Sequence, residues 1–90
     1  MKYTCPCCGY KTLDDEHLFD ICDICFWEDD WGQFLDPRST GANYVTLIEG
    51  QKNYIKFGAC EYEMIPHVRK PTHDDVKDEN WKPIDVYNAD

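Results

Sequence analysis

Apolar and polar positions change rhythm along this chain, and the changes mark its elements. Lys2–Cys5 and Tyr10–Leu13 read as short strands flanking a turn at Pro6–Gly9, and Asp14-Asp15-Glu16 supplies the next turn. His17–Cys22 reads as a returning strand, although adjacent apolar residues at Leu18 and Phe19 break strict alternation. Phe26 and Trp27 precede an acidic stretch, Glu28-Asp29-Asp30, and a loop from Asp36 to Gly41. From Val45 or Thr46 the period becomes helical. Leu47, Ile48, Gln51, Tyr54, Ile55 and Gly58 share one face, which should pack on the cysteine-rich first third. Thr46 and Glu49 have the spacing of a capping box, in which hydroxyl and carboxylate each satisfy a backbone N–H at the helix start. Gly50 either weakens the helix by about 1 kcal/mol relative to alanine or permits a close backbone approach. Gly58 is a plausible end, and Cys60–Ile65 continues as a second short helix.

From Pro66 the chain turns polar and is punctuated by Pro71 and Pro83, with Trp81, Ile84, Val86 and Tyr87 as its apolar anchors. This composition predicts a partly irregular tail laid across the domain surface. A short edge strand around Ile84–Tyr87 is the alternative. The predicted organisation is a single domain over 1–90, with a knuckle module at 1–34, a helical segment at 45–65 and a polar tail at 66–90.

A chain of 90 residues forms one domain, and domains of this size often need a staple. The apolar fraction of 42% includes 6 Cys and 13 aromatics (3 Trp, 6 Tyr, 4 Phe), so aliphatic core formers are few. Four of the cysteines fall as two C-x-x-C pairs, Cys5/Cys8 and Cys22/Cys25. Each pair in a tight turn aims two sulfurs at one point, and Gly9 permits the positive φ that such a turn commonly needs. Two turns joined by a hairpin make a tetrahedral thiolate shell for one zinc ion. With four protein ligands the shell is closed, and closed shells are structural rather than catalytic. A rubredoxin-like iron site, hence an electron carrier, is the competing reading, because four tetrahedral sulfurs suit either metal.

Cys7 lies inside the first turn and Cys60 beyond the helix; both read as small packed residues with inert thiols. The functional alternative for Cys7 is a redox-sensing thiol. His17 is a substitute ligand only if a cysteine fails, and His67 and His73 read as surface residues. The opening Met1-Lys2-Tyr3-Thr4-Cys5 has no apolar leader and no segment approaches a membrane span, so a cytoplasmic, reducing setting is expected.

Asp and Glu number 18 against 9 for Lys and Arg, a net charge of −9 with a pI near 4.5. Four thiolates and a dication would deepen this by about two charges. Nucleic acid and anionic membrane are therefore poor partners, and a basic protein is the partner this charge would steer. The expected function is a non-enzymatic protein-interaction module using the acidic, aromatic run Trp27-Glu28-Asp29-Asp30-Trp31, including immunity-like binding of a basic protein. The simpler reading makes Trp27 and Trp31 core residues. Asp14, Asp15, Glu16, Glu28, Asp29 and Asp30 offer carboxylates for catalysis, but such runs ordinarily face water and no nucleophile–base pair accompanies them.

Several motifs together carry a resemblance. Cys5-Pro6-Cys7-Cys8-Gly9-Tyr10, Ile21-Cys22-Asp23-Ile24-Cys25-Phe26-Trp27-Glu28-Asp29-Asp30, Asp36-Pro37, Gly41-Ala42-Asn43, Leu47, Asn53-Tyr54, Phe57-Gly58-Ala59 and Val68-Arg69-Lys70-Pro71 resemble the bacterial cysteine-rich CPCC domain family. Proline usually follows the third ligand in that family, and Asp23 stands there instead. The resemblance implies a bacterial, zinc-ribbon-like protein and assigns it no chemistry; the residues themselves predict a small α+β, metal-stabilised domain with two knuckles packed on one main helix and a partly irregular C-terminal segment.

Overall fold

The computed structural model describes residues 1–84. The order is β1 (Tyr3–Thr4), β2 (Lys11–Leu13), β3 (Leu18–Ile21), β4 (Glu28–Asp30), α1 (Trp31–Leu35), α2 (Leu47–Phe57) and a 3₁₀ helix, Tyr62–His67. It is a small α+β fold with two antiparallel hairpins, β1–β2 and β3–β4, that share no strand pairing among the described residues. The expected strands around the first turn are present but short, with Tyr3 opposite Leu13 and Thr4 opposite Lys11. In the second hairpin Leu18 faces Asp30 and Ile21 faces Glu28, with an irregular register between them. The broken alternation at Leu18-Phe19 has a backbone cause: Phe19 sits at φ +69.

Each hairpin loop is a cysteine turn, and the two turns repeat one hydrogen-bond pattern. Gly9 N donates to Cys5 O at 2.8 Å and Cys5 N to Tyr10 O at 2.9 Å. Phe26 N donates to Cys22 O at 2.8 Å and Cys22 N to Trp27 O at 2.9 Å. The left-handed position is filled by Gly9 (φ +84) in the first turn and by Phe26 (φ +69) in the second. Asp23 therefore sits in a knuckle of the same form as the first, without the proline.

Helix α2 begins as its sequence requires. Thr46 accepts from Glu49 N, Glu49 reaches back to Thr46 N, and Gly58 ends the helix in the left-handed conformation. Leu47, Ile48, Gly50 and Gln51 are buried. Ile55, expected on the packed face, is instead 66% exposed. The core lies against the first turn and a half of the helix, so the stripe outruns it. The second short helix is present as 3₁₀, ending at His67 rather than Ile65. Helix α1 was not expected from the sequence; Asp30 caps it by accepting from Gly32 N at 2.8 Å.

Sulfur dominates the core. Cys5, Cys7, Cys8, Cys22, Cys25 and Cys60 cluster with Leu13, Ile24, Trp27 and Leu47. Gly50 belongs to this packing: a Cβ there would lie 3.1 Å from Trp27 Cζ3 and 3.3 Å from Cys7 Sγ, so glycine serves a close approach. Beneath α1, buried Gln33 donates to Ser39 O and Val45 O and accepts from Asn43, which in turn pairs with both backbone groups of Glu28.

The polar tail does cross the surface, and it docks at defined points on the first knuckle. Tyr10 bridges to Lys77, Lys11 N donates to Val76 O at 2.9 Å, and Asp78 N donates to Gly9 O at 2.8 Å. Trp81 Nε1 reaches Pro6 O at 2.8 Å, and Ile84 N reaches Gln51 Oε1 at 2.8 Å. The suggested edge strand at 84–87, with Val86 and Tyr87, lies outside the described residues apart from Ile84, which is not in a strand. No helix among the described residues is long and apolar enough to cross a membrane.

Candidate metal centre

The two knuckles face one another and bring Cys5, Cys8, Cys22 and Cys25 together, with the four sulfurs within 4.8 Å of one another. Cys5 Sγ lies 3.6 Å from Cys25 Sγ, and Cys8 Sγ lies 3.7 Å from Cys22 Sγ. A disulfide bond is about 2.05 Å long, and none is formed: all six cysteines are free and buried. Metal–sulfur bonds of about 2.3 Å in a tetrahedron put neighbouring sulfurs about 3.8 Å apart, so the cross-knuckle spacings fit such an ion. The donor chemistry fits as well, since soft thiolates suit zinc and iron.

Electrostatics of the tetrad favour a cation. Burial pushes the Cys5 and Cys25 thiols well above their ordinary value. Hydrogen bonds from Cys25, Cys5 and Cys8, with a further one from Thr12, pull Cys22 down. Four thiolates this close would repel one another and have lost their water, so a bound cation would be needed for all of them to ionise together. Thr12 Oγ1 donates to Cys22 Sγ at 3.0 Å, the one side-chain hydroxyl on the tetrad among the described residues.

Supports from distant sequence hold the knuckles in shape. Gln51 Nε2 and Trp81 Nε1 both donate to Pro6 O, at 2.9 and 2.8 Å, and Lys77 Nζ donates to Cys8 O at 2.8 Å. Cys60 N donates to Cys25 O at 2.8 Å, fixing the second knuckle to the end of α2. The sequence carried no signal for these contacts; their partners lie far along the chain from the knuckles. Cys7 is fully buried outside the tetrad, and burial raises its thiol and that of Cys60, as expected of packed residues.

The histidines stay away from the sulfurs. His17 Nδ1 lies 3.0 Å from Asp29 Oδ1, and its ring stacks on Phe34 at 3.9 Å between centroids. His67 is exposed and stacks on Phe26; His73 is exposed beside Asp74. The acidic run does not wholly face water, contrary to expectation. Asp29 is 0% exposed, because strand alternation in β4 turns the middle carboxylate inward, where it accepts from His17 N at 2.7 Å and meets the His17 ring. Trp27 is likewise fully buried and belongs to the core, whereas Trp31 is half exposed. The acidic, aromatic face read from the sequence therefore loses Trp27 and Asp29.

Among curated proteins, none matches this sequence. Residues 3–75, however, match the family described as Cysteine-rich CPCC, a span that includes both knuckles, α2 and the 3₁₀ helix. With the buried sulfur tetrad, this match over most of the sequence shows that the chain belongs to the cysteine-rich CPCC family.

Proposed function

We propose that the tetrad holds one structural zinc ion, and that the domain acts without catalysis as a small acidic module that binds a basic protein. The observation that carries the first part is the burial of four sulfurs within 4.8 Å of one another, with Cys5–Cys25 at 3.6 Å and Cys8–Cys22 at 3.7 Å: Cys5, Cys8, Cys22 and Cys25 would fill a four-coordinate shell by themselves. Such a shell offers no position for water or substrate, so its role is to hold the fold. Apparent binding energies of about 10–16 kcal/mol for structural zinc in small peptides are large beside the stability of a domain this size. Charge supports the second part, since a net −9 steers basic partners and repels nucleic acid. A small acidic inhibitor of a basic protein, of the immunity type, is one form this module would take.

Metal analysis on protein purified without added zinc tests the site. One zinc per chain in a colourless protein, with helical circular dichroism lost on chelation, is the expected result. A coloured, iron-bearing protein whose absorbance bleaches reversibly on reduction would replace this reading with a rubredoxin-like electron carrier. For binding, capture at low salt should recover a basic protein that high salt releases; recovery of nothing counts against the module.

A further inference from the structure

Charge and exposed apolar surface are concentrated in the same segment. Residues 14–36 hold nine of the 18 acidic residues and none of the 9 Lys and Arg, so the formal −9 falls in this segment, although in the fold Asp14 and Asp23 pair with Lys2 and Arg69 and Asp29 is buried. The same stretch supplies Leu18, Phe19, Ile21, Trp31, Phe34 and Leu35, six of the thirteen exposed large hydrophobics among the described residues, at 41–65% exposure. A monomeric surface seldom gathers apolar side chains in this way without a use for them.

The residues near α1 form one face built on His17. Asp29, buried beneath, holds the imidazole through Nδ1, and the ring lies 3.9 Å from Phe34 and 5.0 Å from Trp31 between centroids. Trp31 and Phe34 stack at 6.0 Å. Leu35 follows Trp31 by one helical turn, and Leu18 pairs across the strands with Asp30, next to Trp31. Glu16 lies with His17 and Phe34 along a groove that Lys2, Lys11 and Lys82 also line, and Asp36 follows Leu35; both carboxylates are exposed. The His17 ring is held by its hydrogen bond and Trp31 and Phe34 pack against it before any partner arrives, which reduces the ordering cost of binding.

Resting on the interaction-module reading above, we infer that the face of Leu18, Trp31, Phe34 and Leu35 is its docking surface, and that its occupant is a basic amphipathic segment of another protein. Apolar side chains of that segment would cover the Trp31–Phe34–Leu35 ridge, while its Lys and Arg meet Glu16 and Asp36. A second copy of this chain is disfavoured, because it would bring the same charge of −9 against itself.

The test uses the full, metal-loaded chain, isotope-labelled for NMR, with a 15-residue Leu/Lys peptide whose leucines recur at helical i, i+3, i+4 spacing. A Leu/Glu peptide of the same pattern is the control. The Leu/Lys peptide should shift the Leu18, Phe34 and Leu35 amides and the Trp31 indole N–H, and should weaken at least tenfold from low to high salt. The Leu/Glu peptide should shift nothing. Leu35→Glu, at a side chain that packs into no core, should weaken binding about tenfold with the resonances of the core unchanged. Shifts confined to another apolar area such as Tyr62 and Ile65, with Leu35→Glu binding like the parent, would overturn this face while leaving the module reading intact. Concentration-dependent dimerisation abolished by Leu35→Glu would make a second copy the occupant and equally overturn the inference. Binding of neither peptide, together with failure of the capture experiment, would remove the module reading itself.

Discussion

Substituting Gly9 by alanine tests whether the tail and the first knuckle form one structure. Two effects should add. Gly9 sits at φ +84, a conformation that costs a side-chain-bearing residue about 1–2 kcal/mol. The new Cβ would also stand 2.6 Å from Trp81 Cδ2 and Cε3 and 3.0 Å from Lys77 Cε, so the indole must leave its seat. Moving it sacrifices the Nε1 bond to Pro6 O, worth about 1 kcal/mol net. It also removes the Lys77 contact with the ring at 4.7 Å and part of the indole's burial, together about another 1 kcal/mol. The expected loss is about 3–4 kcal/mol in the parent but only about 1–2 kcal/mol in a Trp81→Ala background, where the collision is gone. Denaturant unfolding of the four proteins at one buffered free-zinc concentration measures this, since bound metal shifts stability by mass action. A coupling energy below about 0.5 kcal/mol would refute the docking of the tail on the knuckle.

Three further outcomes are expected. Cys22→Ala should abolish stoichiometric metal binding and the folded circular dichroism signal, whereas Cys7→Ala should keep one metal per chain and lose about 1–2 kcal/mol to a small cavity; equal metal loss in both would place Cys7 in the shell. Gly50→Ala should destabilise by about 1 kcal/mol despite the better helix former, because Trp27 and Cys7 are fully buried and cannot recede; a stabilised variant in thermal unfolding would contradict that packing. Arg69, bonded to Asp75 at 2.8 and 2.9 Å, holds that carboxyl well below the usual range, so the pair's contribution is complete above the unfolded carboxylate value near pH 4. It fades as pH falls below that point, so Arg69→Gln should differ from the parent near neutrality and converge with it in acid; a gap that persists in acid would assign the effect to packing instead.

How much of this was legible depended on how far apart the interacting residues lie. The sulfur pairs, the Thr46–Glu49 cap and the Gly58 stop are local patterns, and each appears where the sequence put it. The left-handed residue of the first knuckle was readable because it is glycine. Its counterpart, Phe26, was not, because nothing in a phenylalanine announces a positive φ; stacking on His67 at 5.2 Å is its visible compensation. Asp29 was obscured by its neighbours, since three adjacent acids suggest a solvated run unless one knows they form a strand. The same strand assignment would have shown that the middle carboxylate turns inward. Docking of Lys77 and Trp81 on residues 6–9 could not be read at all, because it closes a loop of about 70 residues and rests on backbone carbonyls, which carry no sequence mark.

The metal, the fold and the proposed face are coupled by the hairpin that carries two of the sulfurs. An isolated two-stranded hairpin is marginal in water, and here two of them meet without sharing a strand. What joins them is the knuckle at each tip, so a cation bound there would fix the relative position of both. The second hairpin also carries most of the segment holding the chain's net negative charge, together with the proposed binding ridge beyond β4. Without a dication, thiolates formed at its tip would add repulsion to a segment already at −9. A structural zinc would therefore do more than substitute for a small core: it would let an acidic, apolar surface be held in one arrangement on a chain with few aliphatic residues to support it.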